Sequence, residues 1–272
     1  MTRDATTDEP RLDLSFVRRA GRTVIERRMF AWPFVLTRSF HVDPDRPGRL
    51  SVIVQTGSGA VHGEDCLTQR VVLHPGTDVY LTNQGATSVH RADPAVLATE
   101  TVKLHVSSGS SLEYLPEPRI MFPDAALRQC IELDCADDAS ALVVDAFTMH
   151  DPGGHARGFR ELDSVFRLRR SAREPLMVDR SRLYRPQDAI FRGYRAFGSA
   201  YLVRPSPHDL AGTQAALMVA LDEISGLYAA ASVMPASSGL GVRLAALDLR
   251  SLRAAVEIIK RAYRRTGASA AC

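Results

Sequence analysis

Lys103 and Lys260 are the only lysines in the 272-residue chain. Neither follows a glycine, so the Gly-Lys-Ser/Thr core of a phosphate-binding loop is missing and a nucleotide site of that kind is excluded. Schiff-base chemistry has the same two candidates. Gly57, Gly59 and Gly63 follow the run Ser51-Val52-Ile53-Val54-Gln55 and suggest a dinucleotide loop. The third glycine of that fingerprint, however, would fall at His62. The next residues, CLTQRVVLHPG, read as a strand where a helix N-terminus must hold the pyrophosphate. No G-x-S-x-G elbow, H-E-x-x-H helix or calcium loop is present. Cys130 and Cys135 have no second pair to complete a zinc site and read as buried or incidental thiols. His150 and His155 flank the turn Asp151-Pro152-Gly153-Gly154, where two imidazoles could meet a metal or simply solvate a loop.

Composition sets further bounds. A 45% hydrophobic and 24% charged chain is that of an ordinary globular protein, long enough to bury a substantial core. The net charge of +3 is too small to imply a nucleic-acid partner. From Arg157 to Arg195 there are eleven arginines, interleaved with Glu161, Asp163, Glu174, Asp179 and Asp188. Those acids would repel phosphates, so the stretch reads as a solvated face or a surface for an acidic protein. No run approaches the roughly 18 apolar residues of a membrane span. Residues 1–10 lack the apolar core of an export signal and read as a disordered leader, which places the chain in the cytoplasm with reduced thiols.

The elements that must position any site fall into two kinds. Over residues 11–205 the chain reads as β-rich. Val102, Leu104 and Val106 alternate with Lys103 and His105 as in a half-buried strand, and Leu142 to Thr148 forms another β-branched run. Turn clusters at His74-Pro75-Gly76, Ser107 to Ser111 and Asp151 to Gly154 punctuate these runs. LHPGTDVYL (73–81), VSSGSSLEYL (106–115) and LDCADDASALVV (133–144) repeat a strand, turn, strand pattern at intervals of about 30 residues. Stacked β-layers and a plain β-sandwich both fit this rhythm. Residues 206–272 read as a helical appendage on the same domain. Leu210, Leu217, Leu221, Ile224 and Tyr228 recur near helical spacing over 209–230. Asp248 is a good N-cap for a second helix, with an apolar stripe of Leu249, Leu252, Val256, Ile259 and Tyr263. Arg250, Arg253, Lys260, Arg261 and Arg264 cover its other face, and the linker between the helices holds Pro235, Ser237, Ser238 and Gly239.

GAVHGED (59–65), LTNQGATSVHR (81–91), LEYLPEPRIMF (112–122), ARGFREL (156–162) and VRLAALDLRSLR (242–253) together resemble the urease accessory protein UreD (UreH) family. GAVHGED (59–65) is similar to its G-G-x-x-G-G-D turn, with Ala60 and Glu64 where glycines are usual. LTNQGATSVHR (81–91) is similar to T-T-Q-A-A-T-K-x-Y-R, matching at Thr82, Gln84, Ala86, Thr87 and Arg91. LEYLPEPRIMF (112–122) resembles L-E-W-L-P-Q-E-x-I-x-F. ARGFREL (156–162) is a looser match to G-R-x-x-x-G-E through Arg157, Gly158 and Glu161, and VRLAALDLRSLR (242–253) resembles the family's closing helix entry.

The resemblance implies a layered, β-helix-like solenoid with two C-terminal helices. It implies an assembly factor rather than an enzyme, working with UreF and the GTPase UreG on urease apoprotein. Nickel would be a transient cargo passing through an internal water-filled channel, and the missing phosphate loop fits a division of labour in which UreG handles nucleotide. A conduit must hold Ni²⁺ loosely, through oxygen and nitrogen ligands. Asp65, Glu64, Asp145 and Glu161 are the candidate carboxylates, with Thr82, Gln84 and Arg91 as polar lining. Acidic residues at strand ends also cap turns and face solvent, which is the plain alternative for each. Arg250, Arg253, Leu252 and Ile259 are the candidate partner-binding residues of the tail. Two other readings stay open: a β-solenoid carbohydrate-active enzyme with two carboxylates as acid and base, and a metal-independent scaffold. Trp32, the one tryptophan, is thin provision for a sugar cleft.

Overall fold

The computed structural model describes residues 9–155, 157–171, 174–186, 193–205 and 209–268, with side chains to residue 265. Most of the expected leader, and the first residues of the expected helical appendage, lie outside the described residues. The fold is mainly β, with 52% strand in a β-solenoid of about 4 turns and two helices at the C-terminus.

The chain opens with β1 (Leu12–Arg19), β2 (Arg22–Phe30), β3 (Phe34–Phe40), β4 (Leu50–Thr56), β5 (Ala60–Val61) and β6 (Cys66–Leu73). It continues through β7 (Asp78–Asn83), β8 (Ser88–Val89), β9 (Ala98–Val106), β10 (Ser111–Tyr114), β11 (Arg119–Met121) and β12 (Ala126–Cys135). Then come β13 (Ser140–Met149), β14 (Glu161–Arg170), β15 (Met177–Tyr184) and β16 (Ala196–Val203). The end is α1 (Leu210–Asp222), β17 (Leu227–Val233), β18 (Gly239–Ala246) and α2 (Leu249–Ala268).

One sheet runs β15-β14-β12-β9-β6-β1-β2 and the other β17-β18-β16-β13-β10-β7-β4-β3. Their middle strands are parallel, as successive coils of a solenoid require: β6, β9, β12 and β14 in the first sheet, and β4, β7, β10 and β13 in the second. A third, narrow ladder of β5, β8, β11 and the end of β13 closes the coil. The repeat in the sequence is this stacking. Asp78, Ser111 and Ser140 stand side by side in register. Corner residues hydrogen-bond coil to coil, from Ser107 N to Leu73 O (3.0 Å) and from Ala136 N to Val106 O (2.9 Å). Gly76 and Gly109 sit at one corner with φ of +72° and +64°, a left-handed bend that favours glycine.

Alternation on the strands separates inside from outside. Leu67, Val71, Leu73, Val102, Leu104, Ile131, Leu133, Phe166 and Leu168 meet Val52, Val79, Leu81, Leu112 and Val143 in the core between the sheets. The opposite face of the second sheet carries Leu142, Val144, Leu202, Val242 and Leu244, and both helices cover it. The stripe of α2 is therefore core: Leu252, Ile259 and Tyr263 are each fully buried. Asp248 caps this helix, accepting a hydrogen bond from Ser251 N at 2.8 Å.

Three details differ from the sequence reading. The first helix stops at Asp222, and Tyr228 lies on a strand instead. Gly226, at φ +74°, turns the chain so that Leu227–Val233 pairs with β18, which offers main-chain hydrogen bonds that a longer helix would forgo. The segment around Pro235 to Gly239 is consequently a hairpin turn between β17 and β18 rather than a linker between helices. Arg264 does not join the solvent face of α2, because it reaches in to the fully buried Glu113, with Nη2 to Oε2 at 2.8 Å. Arg49, itself fully buried, meets the same carboxylate at 2.7 Å.

Candidate functional site

Among the described residues, a polar band crosses the otherwise largely apolar core between the two sheets. On the first sheet Glu100, Gln129 and Ser164 are register neighbours on β9, β12 and β14. Each sits between apolar residues in the inward alternation: Ala98 and Val102, Leu127 and Ile131, Leu162 and Phe166. Asp145 of β13 and Arg119 of β11 face them. Arg119 donates through Nη2 to Glu100 and through Nη1 to Asp145 Oδ1 at 3.2 Å. Gln129 donates to Asp145 and to Ser164 Oγ at 2.8 Å, while Ser164 Oγ donates to Asp145 Oδ2 at 2.7 Å. Gln69 of β6 donates to Glu100 Oε1 at 2.7 Å. The result is a polar seam across the solenoid, tied together side chain to side chain.

The seam is held by electrostatics in a poor solvent for charge. Glu100 and Arg119 are each 8% exposed and Gln129 is 2% exposed. Burial works against the Arg119 cation, but Glu100 and Asp145 together outweigh it and hold its pKa above the ordinary arginine value. Burial, reinforced by the Glu100 charge, raises the pKa of Tyr114, which lies alongside. A buried ion pair of this kind stabilises a fold little against an apolar substitute, while breaking one side of it is costly. Its chemistry is therefore a better guide to its purpose than its contribution to stability.

Each end of the seam meets a cavity. At one end a cavity of about 20 Å³, room for a single water, is lined by Pro33, Asn83, Thr87 and Pro116 and reaches Gln69, Glu100, Tyr114 and Arg119. At the other a cavity of about 290 Å³ is lined by Asp145, Ser164, Asp179, Tyr201, Tyr228 and Arg243. Tyr201 stacks on Phe166 at 3.8 Å and donates to Asp179 Oδ2 at 2.9 Å. Burial and then the Asp179 charge raise the Tyr201 pKa, which keeps the hydroxyl a donor. Arg243 bonds the same carboxylate and Ser199 Oγ.

The structure scatters the residues singled out from the sequence. Asp145 lies in the seam. Asp65 closes the turn before β6, its Oδ2 accepting from His62 N at 2.8 Å, and Glu64 beside it is exposed. Glu161 belongs to the outward alternation of β14 and accepts from Arg182 Nε and Nη2 at 3.0 and 2.8 Å. The strand register puts Glu161 three strand spacings, roughly 14 Å, from Asp65 along one end of the first sheet. Thr82 Oγ1 donates to Leu115 O at 2.7 Å, while Gln84 and Arg91 are exposed. Arg250 is exposed, and Arg253 pairs with Glu117 Oε2 at 2.6 Å beside the smaller cavity. Leu252 and Ile259 lie inside, beneath α2. Part of the arginine-rich stretch neutralises itself, with Arg180 on Asp163 and Arg182 on Glu161. Among the described residues no three His, Cys, Asp or Glu side chains converge on a metal position. The His150 ring packs edge-on against Phe122, which stacks on His90.

Glu100, Arg119, Gln129 and Ser164 escaped the sequence reading, although each left a trace. A polar residue stands at an inward position in successive coils, at Gln69, Glu100, Gln129 and Ser164. The segments 81–91 and 112–122 also converge here, giving the smaller cavity Asn83 and Thr87 from one and Tyr114, Pro116, Glu117 and Arg119 from the other.

Comparison with known proteins gives a consistent result. The family described as UreD urease accessory protein matches over residues 8–272. A urease accessory protein UreD 2 of Bradyrhizobium sp. strain BTAi1 is 62% identical over 252 residues, covering 93% of this chain and 88% of its own. The protein of the same description from Bradyrhizobium sp. strain ORS 278 is 60% identical over 256 residues, covering 94% and 90%. A urease accessory protein UreD of Mycolicibacterium smegmatis is 31% identical over 247 residues, covering 91% and 88%.

Proposed function

The chain belongs to the UreD urease accessory protein family, and from that premise we propose that it serves urease maturation by passing nickel through its interior seam. It does so in the cytoplasm, in a complex with UreF and the GTPase UreG docked on urease apoprotein, and it carries out no turnover of its own. The observation that carries this reading is the polar seam joining two cavities. Two of the segments that resemble the family, 81–91 and 112–122, line one of its ends.

The chemistry of the seam suits a cargo. Its donors are the oxygens of Glu100, Asp145, Gln129 and Ser164, with no thiolate among them. Oxygen ligands accept Ni²⁺ without the tight hold of a sulfur cage, so the ion can leave again. A glycosidase would need one of its two carboxylates free to protonate a leaving group. Glu100 and Asp145 instead share the Arg119 guanidinium. Asp65, Glu64 and Glu161 lie outside the seam, and in this reading they shape the rim of the solenoid. Partner contact falls to exposed residues such as Arg250 on the outer face of α2, since Leu252 and Ile259 are already buried. No helix of the described residues is long and apolar enough to cross a membrane.

Co-expression of urease structural subunits with UreF, UreG and this chain tests the reading. Urease activity should depend on nickel and on the presence of this chain. Equal activation with the chain left out would overturn it.

A further inference from the structure

The seam already contains a cation. We infer that the Arg119 guanidinium occupies a divalent-cation site formed by Glu100, Asp145 and Gln129, so that a metal ion enters by exchange, with Arg119 leaving as the ion arrives. This rests on the seam being the path of the metal, and it adds what holds the path shut.

Arg119 bridges carboxylates from opposite walls, Glu100 on the first sheet and Asp145 on the second. Without it, two like charges would face each other where little solvent screens them, an arrangement that a divalent cation relieves. Gln129 supplies an independent observation. It is 2% exposed, and its amide nitrogen serves Asp145 and Ser164. Its Oε1 is buried with no hydrogen-bond partner among the described residues. That oxygen belongs to the same amide as the nitrogen that touches Asp145. An orphan acceptor in such a place calls for a donor or a cation. With Arg119 in place the site sets two carboxylates against one positive charge, and with a divalent ion the charges balance. Arginine suits the resident role because it stays protonated under all ordinary conditions and spans two carboxylates at once.

The test uses the purified full-length chain and nickel chloride alone. Arg119→Met should unfold at a lower temperature than wild type without nickel. Nickel a hundredfold above its dissociation constant should then raise its melting temperature by on the order of 5 °C beyond any wild-type response. Adding Glu100→Gln to Arg119→Met should remove that extra response. The inference is overturned if nickel shifts Arg119→Met no more than wild type, or if the extra shift survives Glu100→Gln. Should Arg119→Met fail to fold even with nickel, Arg119→Lys decides. A compact ammonium holds two opposed carboxylates less well than the two-armed guanidinium, so equilibrium dialysis should show tighter nickel binding than wild type, and equal affinity overturns the inference. Urease is absent from these assays. A failure here is thus distinct from a failure of the nickel-path reading, which is measured by urease activation.

Discussion

Asp65 and Asp145 are both acidic residues next to strands, yet the fold gives them different work. Asp65 accepts from the His62 backbone across its turn, and Asp145 faces Arg119, Gln129 and Ser164 inside the solenoid. Asp65→Ala should therefore cost about 1 kcal/mol, the usual value of a lost cap. Asp65→Asn, which keeps an acceptor oxygen, should recover most of it in urea unfolding. Both should activate urease like wild type once folded. Activation lost in both variants at limiting nickel, with complexes intact, would return Asp65 to the metal path. The cysteines differ as sharply. Cys135 is fully buried, and burial pushes its thiol up to about 12, while Cys66 is exposed. Alkylation at pH 8 followed by peptide mapping should modify Cys66 and spare Cys135 until the protein unfolds. An unfolded thiol ionises near ~8.5. Between there and about 12 the folded state keeps a proton that the unfolded state has lost, so this thiol makes stability fall as pH rises.

At the scale of elements, the sequence carried the coil and hid the seam for related reasons. The strand, turn, strand echo is visible because each corner repeats the same polar, small-residue chemistry around Gly76, Gly109 and Asp138. Val102-x-Leu104-x-Val106 is visible because an edge-to-core alternation is periodic. Glu100 and Gln129 are isolated interruptions of that same alternation, and only the register of β9 against β12 shows that they are neighbours. Arg119 was harder still, since its partners lie 19 and 26 residues away in sequence, on strands of different sheets. In the tail, Asp248 and the stripe through Leu252, Ile259 and Tyr263 were legible as a helix. What the stripe packs against was not, because an apolar stripe reads alike whether it meets a sheet or a partner. The burial now sets an expectation. Ile259→Ala should destabilise the chain by about 2–5 kcal/mol, while exposed Arg250→Ala should stay within about 0.5 kcal/mol of wild type. Chemical unfolding of the two variants checks this, and similar costs would mean that α2 does not sit on the sheet as described.

On the scale of the whole molecule, two sheets with parallel middle strands enclose a largely apolar core crossed by a polar band, and that band runs from one cavity to another. The helices cover the outer face of the second sheet, and ion pairs such as Arg180 with Asp163 and Arg182 with Glu161 dress the outer face of the first. The proposed metal path therefore runs through the interior rather than over these surfaces. Ser164→Leu tests this most directly, because it puts a branched apolar side chain where a hydroxyl now meets Asp145 at the wall of the larger cavity. Arg182→Ala, on the outer face of the neighbouring strand, is the control. The measurement is nickel-dependent urease activation by complexes purified with each variant, with recovery of the complex quantified alongside. With an interior path, Ser164→Leu should assemble normally but activate no better than a preparation lacking this chain, while Arg182→Ala should match wild type. Wild-type activation by a fully assembled Ser164→Leu complex would contradict it.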